Sequence, residues 1–234
     1  MKALPVALLL VVACREPAQE EVAPLPESSP AAEAQTSAPA EEASGPLVVF
    51  LGDSLTAGLG LAEEQAFPAL IRERLVEEGI SVRVVNAGVS GDTSAGGVRR
   101  LEWVLGQKPD VVVVGLGAND GLRGLSLEST EANLQDIVRR AKGAGARVVV
   151  LGMRIPPNYG PEYAAGFEGI YPRVARELGV PLVPFLLEGV GGEAELNLGD
   201  GIHPNAVGHR RVAENVLPLV REALAETAAA GAGR

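Results

Sequence analysis

Cysteine occurs once in the 234 residues, at Cys14, so no disulfide can close within the chain. Histidine occurs twice, at His203 and His209. A metal site built on His203 and its neighbouring Asp200 would lack further histidines or cysteines to complete a shell, and neither a metal nor a cofactor is expected. Basic residues are outnumbered, with 20 Lys and Arg against 30 Asp and Glu. A net charge of −10 without a basic stripe excludes nucleic acid as a partner and argues against electrostatic docking on anionic lipid. Long hydrophobic runs are missing too. The apolar stretch Ala3 to Ala13 has eleven residues, one of them Pro5, against the ~20 needed to span a bilayer. No Gly-Lys-Ser/Thr and no Gly-x-Gly-x-x-Gly occurs at a strand-to-helix junction, which removes the usual phosphate cradles.

What is present begins with a targeting signal. Lys2, the apolar stretch and Val11-Val12-Ala13-Cys14 resemble a bacterial lipobox, in which the cysteine is lipidated and heads the mature chain. The alternative is an ordinary secretory signal with an incidental cysteine. Residues 1–13 are thus expected to be a lipoprotein-type signal peptide. The protein is expected to be exported and lipid-anchored through Cys14 to a bacterial membrane, facing the periplasm or the cell exterior. Residues 14–46 are rich in Ala, Glu, Pro and Ser, with seven Glu against Arg15. Such a segment cannot offset its own ordering entropy, so a disordered tether is expected. The folded domain then spans residues 47–224, and residues 225–234 read as a flexible tail. A single domain and a monomer are expected at this length.

Within the domain, apolar β-branched runs alternate with helical periodicities. Leu47–Leu51, Val82–Val85, Val111–Val114, Val148–Leu151 and Leu182–Phe185 read as strands. Helices are expected over Glu63–Glu78, through Val98, Leu101 and Trp103 with Trp103 in the core, over Leu127–Lys142, over Tyr163–Leu178, and finally from Pro204. Asp92 or Thr93 can cap the second of these. Pro218 can kink or end the last. Alternation of this kind implies an α/β fold: a flavodoxin-like three-layer α/β/α sandwich with a five-stranded parallel sheet in the order 2-1-3-4-5. In that order the first and third strands are neighbours, and the crevice opens at their carboxyl ends.

Gly52-Asp53-Ser54-Leu55 ends the first strand and presents Ser54 as a nucleophile on a rigid base. A serine hydroxyl needs a base, an acid that orients the base, and donors for an oxyanion. Asp200-Gly201-Ile202-His203 supplies both partners, because a turn over three residues can bring the Asp200 carboxylate to the His203 imidazole. His209 lies mid-helix beside Arg210 and Arg211 and reads as an exposed residue. Gly91 and Asn119, each after a strand, can contribute an N–H and a side-chain amide to an oxyanion hole. Ser90 is the rival nucleophile, better placed as a loop residue. Asp53 and Asp120 are expected to hold their own turns.

These stretches resemble the four blocks of the SGNH (GDSL) hydrolase family, in order and in register: Gly52-Asp53-Ser54-Leu55, Gly91, Gly117-Ala118-Asn119-Asp120 and Asp200-Gly201-Ile202-His203. Ser90–Ser94, Asn119–Gly124 and Pro157–Gly160 are similar to its thioesterase I/lysophospholipase/arylesterase branch. The resemblance implies Ser54, Asp200 and His203 as the triad. It also implies an oxyanion hole from the Ser54 and Gly91 N–H groups and the Asn119 amide. Members of that branch are usually free in the periplasm, so an anchored form is a departure.

The expected substrate is a small acyl ester or thioester, with aryl esters and lysophospholipids included. Leu122, Ile155, Pro156 and Tyr159 are expected to contact its acyl chain. Carbohydrate O-acetylesterase activity with the same residues, and a non-catalytic flavodoxin-like binding module, are the alternatives.

Overall fold

A computed structural model describes residues 45–232 of the protein, so the expected signal peptide, the Cys14 anchor and nearly all of the expected tether lie outside the described residues. Five strands form one all-parallel sheet in the order β2-β1-β3-β4-β5. They are β1 (Leu47–Gly52), β2 (Arg83–Gly88), β3 (Val111–Gly115), β4 (Arg147–Leu151) and β5 (Leu182–Val183). Continuous apolar runs suit strands covered on both faces. Val48–Leu51 of β1 and Val111–Val114 of β3 are buried throughout, and each large apolar side chain so removed from water contributes about 1.5–3 kcal/mol.

The longer helices are α2 (Phe67–Glu77), α3 (Ser94–Gly106), α5 (Leu127–Gly143), α6 (Pro161–Leu178) and α7 (Ala206–Ala232). Right-handed crossovers fix their sides. The step from β1 back to β2 puts α2 on one face, where it packs against α7, and the forward steps put α3, α5 and α6 on the other. Two short helices sit at the carboxyl edge, α1 (Ser54–Ala57) directly after β1 and α4 (Ala118–Leu122) after β3. No helix among the described residues is long and apolar enough to cross a membrane.

Three local expectations are revised. The helix expected from Glu63 is a 3-10 turn over Glu63–Gln65 followed by α2, because Ala66 is extended (φ −70°, ψ 144°) and Pro68 restarts the chain in the first turn. Trp103 is 59% exposed, since α3 buries the face carrying Gly97, Leu101 and Val104. The last helix begins at Ala206, where Asn205 Oδ1 accepts from the Val207 and Gly208 N–H groups. It continues past Pro218 through the expected tail to Ala232, in keeping with the high helix propensity of its alanines. Of the two caps expected for α3, Thr93 takes the position and accepts from the Gly96 N–H, which agrees with the expectation.

Candidate active site

The carboxyl ends of β1 and β2 have no room for side chains. A Cβ on Gly52 would lie 1.9 Å from Thr56 Oγ1, and one on Gly88 would lie 2.2 Å from the Ala57 nitrogen. The two glycines therefore let α1 rest directly on the strand ends. Asp53 caps α1, its Oδ1 accepting from the Leu55 N–H at 3.0 Å. Asn86 Nδ2 donates to the Thr56 carbonyl at 2.9 Å, which ties the same turn to β2. Ser54 is thus a rigidly seated hydroxyl.

His203 reaches it from the loop between β5 and α7. That loop is pinned by an antiparallel bridge between Asn197 and Pro204, and by Asn197 Nδ2 donating to the Val190 and Glu193 carbonyls. His203 Nε2 lies 2.9 Å from Ser54 Oγ, and Nδ1 lies 2.7 Å from Asp200 Oδ2. Asp200 Oδ1 accepts from the His203 and Ile202 backbone N–H groups, each at 3.0 Å. Those backbone bonds, with the bond to the imidazole, hold the Asp200 carboxyl down to about 2. An ionised carboxylate can only accept, so Nδ1 carries the proton of the neutral ring and Nε2 is left to accept from the Ser54 hydroxyl. Ser54, not Ser90, is the serine in this contact, although both line the same cavity.

Gly91 and Asn119 line that cavity too. Gly91 takes φ +79°, a left-handed conformation that suits glycine, and its carbonyl accepts from Arg123 Nη2 at 2.8 Å. Asn119 Nδ2 donates to the Asp92 carbonyl at 3.0 Å and sits 3.4 Å from Asp53 Oδ2. Burial pushes the Asp53 carboxyl up to about 6, against the opposing pull of the Leu55 N–H and of His203. Asp120 departs from expectation. Its carboxylate accepts from the Ser94 N–H at 2.8 Å and from the Ser94 hydroxyl at 2.5 Å, so it joins α4 to α3 instead of holding its own turn.

The cavity measures about 630 Å³. Leu122, Ile155 and Pro156 line it, together with Phe185 and Leu187, for which the sequence raised no expectation of contact. The signal for those two was their position just beyond β5, at the functional edge of the sheet. Tyr159 is a correction, since it does not line the cavity. Its hydroxyl donates to the Leu122 carbonyl at 2.9 Å and so supports a lining residue from outside.

His209 also departs from expectation. It is 1% exposed, not a surface residue. Its Nδ1 accepts from the Phe67 N–H at 3.1 Å, and its ring stacks on Phe67 with centroids 6.1 Å apart. α7 packs that face, with Val212 and Val216, against α2. Burial pushes the imidazole down to about 4.

Residues 50–211 match the GDSL-like lipase/acylhydrolase family over well more than half of the chain. The chain belongs to that family. It is 45% identical to Esterase TesA of Pseudomonas aeruginosa over 185 residues, covering 79% of this chain and 92% of that protein. It is 43% identical to thioesterase 1/protease 1/lysophospholipase L1 of Escherichia coli K12 over 159 residues, covering 68% of this chain and 75% of the relative. The crystal structure of TesA superposes with a TM-score of 0.74 at 46% identity, covering 76% of this chain and 99% of that one. This GDSL-family member is accordingly a serine hydrolase acting on ester bonds of small molecules.

Proposed function

We propose that the protein hydrolyses carboxylic esters and thioesters through an acyl-enzyme on Ser54, with aryl esters, acyl thioesters and lysophospholipids as the substrate classes. The observation that carries this reading is the unbroken chain of contacts from Asp200 through His203 to Ser54, 2.7 and 2.9 Å, opening into a cavity walled by leucine, isoleucine, proline and phenylalanine. Ser54 Oγ attacks the carbonyl carbon while His203 Nε2 takes its proton. The carbonyl oxygen becomes an oxyanion held by the Ser54 and Gly91 N–H groups and by Asn119 Nδ2. Collapse of the tetrahedral adduct breaks the bond to the alcohol or thiol, which leaves with the proton from His203. Water, deprotonated by the same imidazole, then attacks the acyl-Ser54 ester and releases the carboxylic acid and the free serine. Asp200 stays ionised throughout and stabilises the imidazolium. Such a base contributes roughly 10²- to 10⁴-fold and each oxyanion donor about 10²- to 10³-fold.

A series of p-nitrophenyl esters of increasing chain length, with one lysophospholipid, tests the substrate class, and peptide mapping after fluorophosphonate treatment tests the nucleophile. The expected result is one adduct on Ser54 and turnover that improves from acetyl to medium chains. Faster release of acetate from acetylated glycans would favour the deacetylase alternative, and no labelling would favour a binding module. Export and anchoring through Cys14 rest on the lipobox resemblance. A mature protein that begins at a diacylated Cys14, and is released from membranes by Cys14→Ser, is the outcome expected.

A further inference from the structure

Arg100 lies in the middle of α3, its side chain only 20% exposed, and its guanidinium makes three hydrogen bonds to three different parts of the chain. Nη2 donates to the Gly52 carbonyl at 2.7 Å, Nη1 to the Ala87 carbonyl at 2.6 Å, and Nε to Asp92 Oδ2 at 2.7 Å. Gly52 is two residues before Ser54, Ala87 is near the end of the strand that leads to Gly91, and Asp92 immediately follows Gly91. The Asp92 carbonyl is in turn the acceptor that holds Asn119 Nδ2 at 3.0 Å. One rigid fork thus bonds two strand-end carbonyls and the Asp92 carboxylate, in the segments that lead to Ser54, to Gly91 and, through the Asp92 carbonyl, to Asn119. The pocket for it is built in: a Cβ on Gly96 would lie 1.6 Å from Asp92 Oδ1, so the glycine leaves the space the carboxylate occupies.

We propose that Arg100 is a positioning residue that sets the oxyanion hole, acting through Asp92 on Asn119 and through the strand ends on Ser54 and Gly91. Resting on the assignment of Ser54 as nucleophile, the proposal concerns the transition state alone, because Arg100 does not line the cavity and touches no acyl group. Three charge-assisted bonds from one planar group fix both distance and angle, which an ammonium cannot reproduce. Displacing the donors by about 1 Å is enough to cost on the order of 10²-fold. The donors matter only once charge develops on the carbonyl oxygen, so the loss falls on kcat with KM little changed.

The test uses the full chain and rates per active site, counted by the fluorophosphonate-reactive fraction. Arg100→Met should lower kcat about 10- to 100-fold on a p-nitrophenyl ester, with KM within about threefold. An acyl trifluoromethyl ketone, which forms a hemiketal oxyanion on the serine, should bind more weakly by the same factor. In an Asn119→Ala background, Arg100→Met should cost several-fold less than in the wild type, since one of the three donors it helps to hold is gone and only the Ser54 and Gly91 N–H groups are left to be displaced. A merely structural role would reduce the titratable fraction and leave the inhibitor constant of the remaining sites unchanged. Should Arg100→Met fail to fold, Arg100→Lys carries the same measurements, because it keeps the charge and loses the fork. The proposal is overturned if the folded variant keeps kcat within threefold, if the ketone affinity does not move, or if the loss is equally large in the Asn119→Ala background. Peptide mapping of the wild-type adduct separates the two failures: an adduct away from Ser54 sinks the assignment of the nucleophile, whereas an adduct on Ser54 with unaffected Arg100 variants sinks this inference alone.

Discussion

The two histidines are six residues apart in the chain, yet one sits in the loop before α7 and the other inside that helix, in opposite environments. His203 faces a cavity, with a carboxylate on one nitrogen and a hydroxyl on the other. His209 is enclosed, with a backbone N–H on one nitrogen and an aromatic ring against its face. Proton transfer needs the first arrangement, in which the charged ring has a partner waiting. The second keeps the ring neutral, because burial without a carboxylate penalises the cation. Residue type alone therefore carries little information about role, and the groups around each nitrogen carry most of it.

The largest expected break in this contrast is His203→Ala. Removing the base should lower kcat on the order of 10⁵- to 10⁶-fold with thermal stability nearly unchanged, as read by ester hydrolysis and a melting curve. Asp200→Asn comes next, with about 10²- to 10⁴-fold, because Asn Oδ1 can keep the backbone bonds while the imidazolium loses its counter-charge. A loss under tenfold would show that the exposed acid merely shapes its turn.

His209→Ala inverts the pattern. Activity per folded molecule should stay within about threefold, while stability falls on the order of 2–4 kcal/mol from the cavity and from the Phe67 N–H left without an acceptor. Urea unfolding measures the fall, and an inactive but fully stable variant would refute the assignment of roles.

The smallest effect is on pH dependence. His209 stays neutral in the fold down to about pH 4 while the unfolded chain protonates near 6.5, so its contribution to stability is lost as pH falls through that window. Asp53 opposes it, because the fold retains the Asp53 proton up to about pH 6 while the unfolded chain releases it near 3.8. Stability from that group is lost as pH rises over that interval. The two slopes partly cancel between about pH 4 and 6. Asp53→Asn should therefore steepen the rise of stability with pH, and His209→Gln should reverse it, as read from melting temperatures across the range.

Much of the site was legible before any coordinates, because each piece is local. Val48-Val49-Phe50-Leu51 followed by Gly52-Asp53-Ser54 marks a covered strand ending in a turn whatever else the chain does. A chain with two histidines and one Asp-x-x-His leaves few choices for a base. Less local features were not legible. Tyr159 lies in a proline-containing loop and Phe185 at the end of an expected strand that stops two residues earlier, at Val183, and only packing decides that the phenylalanine walls the cavity while the tyrosine braces Leu122 from behind. Trp103 reads as core by type but lies on the wrong side of α3. Arg100 carries no sequence signal, since its three acceptors are two carbonyls and a carboxylate 8 to 48 positions away.

Read alone, the amino-acid order determined the alternation of strands and helices, the glycines available at the strand ends, and which serine, acid and imidazole to propose for the site, because these follow from apolar runs, backbone freedom and side-chain chemistry within a few positions. Tertiary structure alone decided which histidine is enclosed, which loops wall the acyl cavity, and how one guanidinium spans three backbone segments. Such outcomes depend on which faces meet when distant elements pack, and no short stretch of chain contains that information.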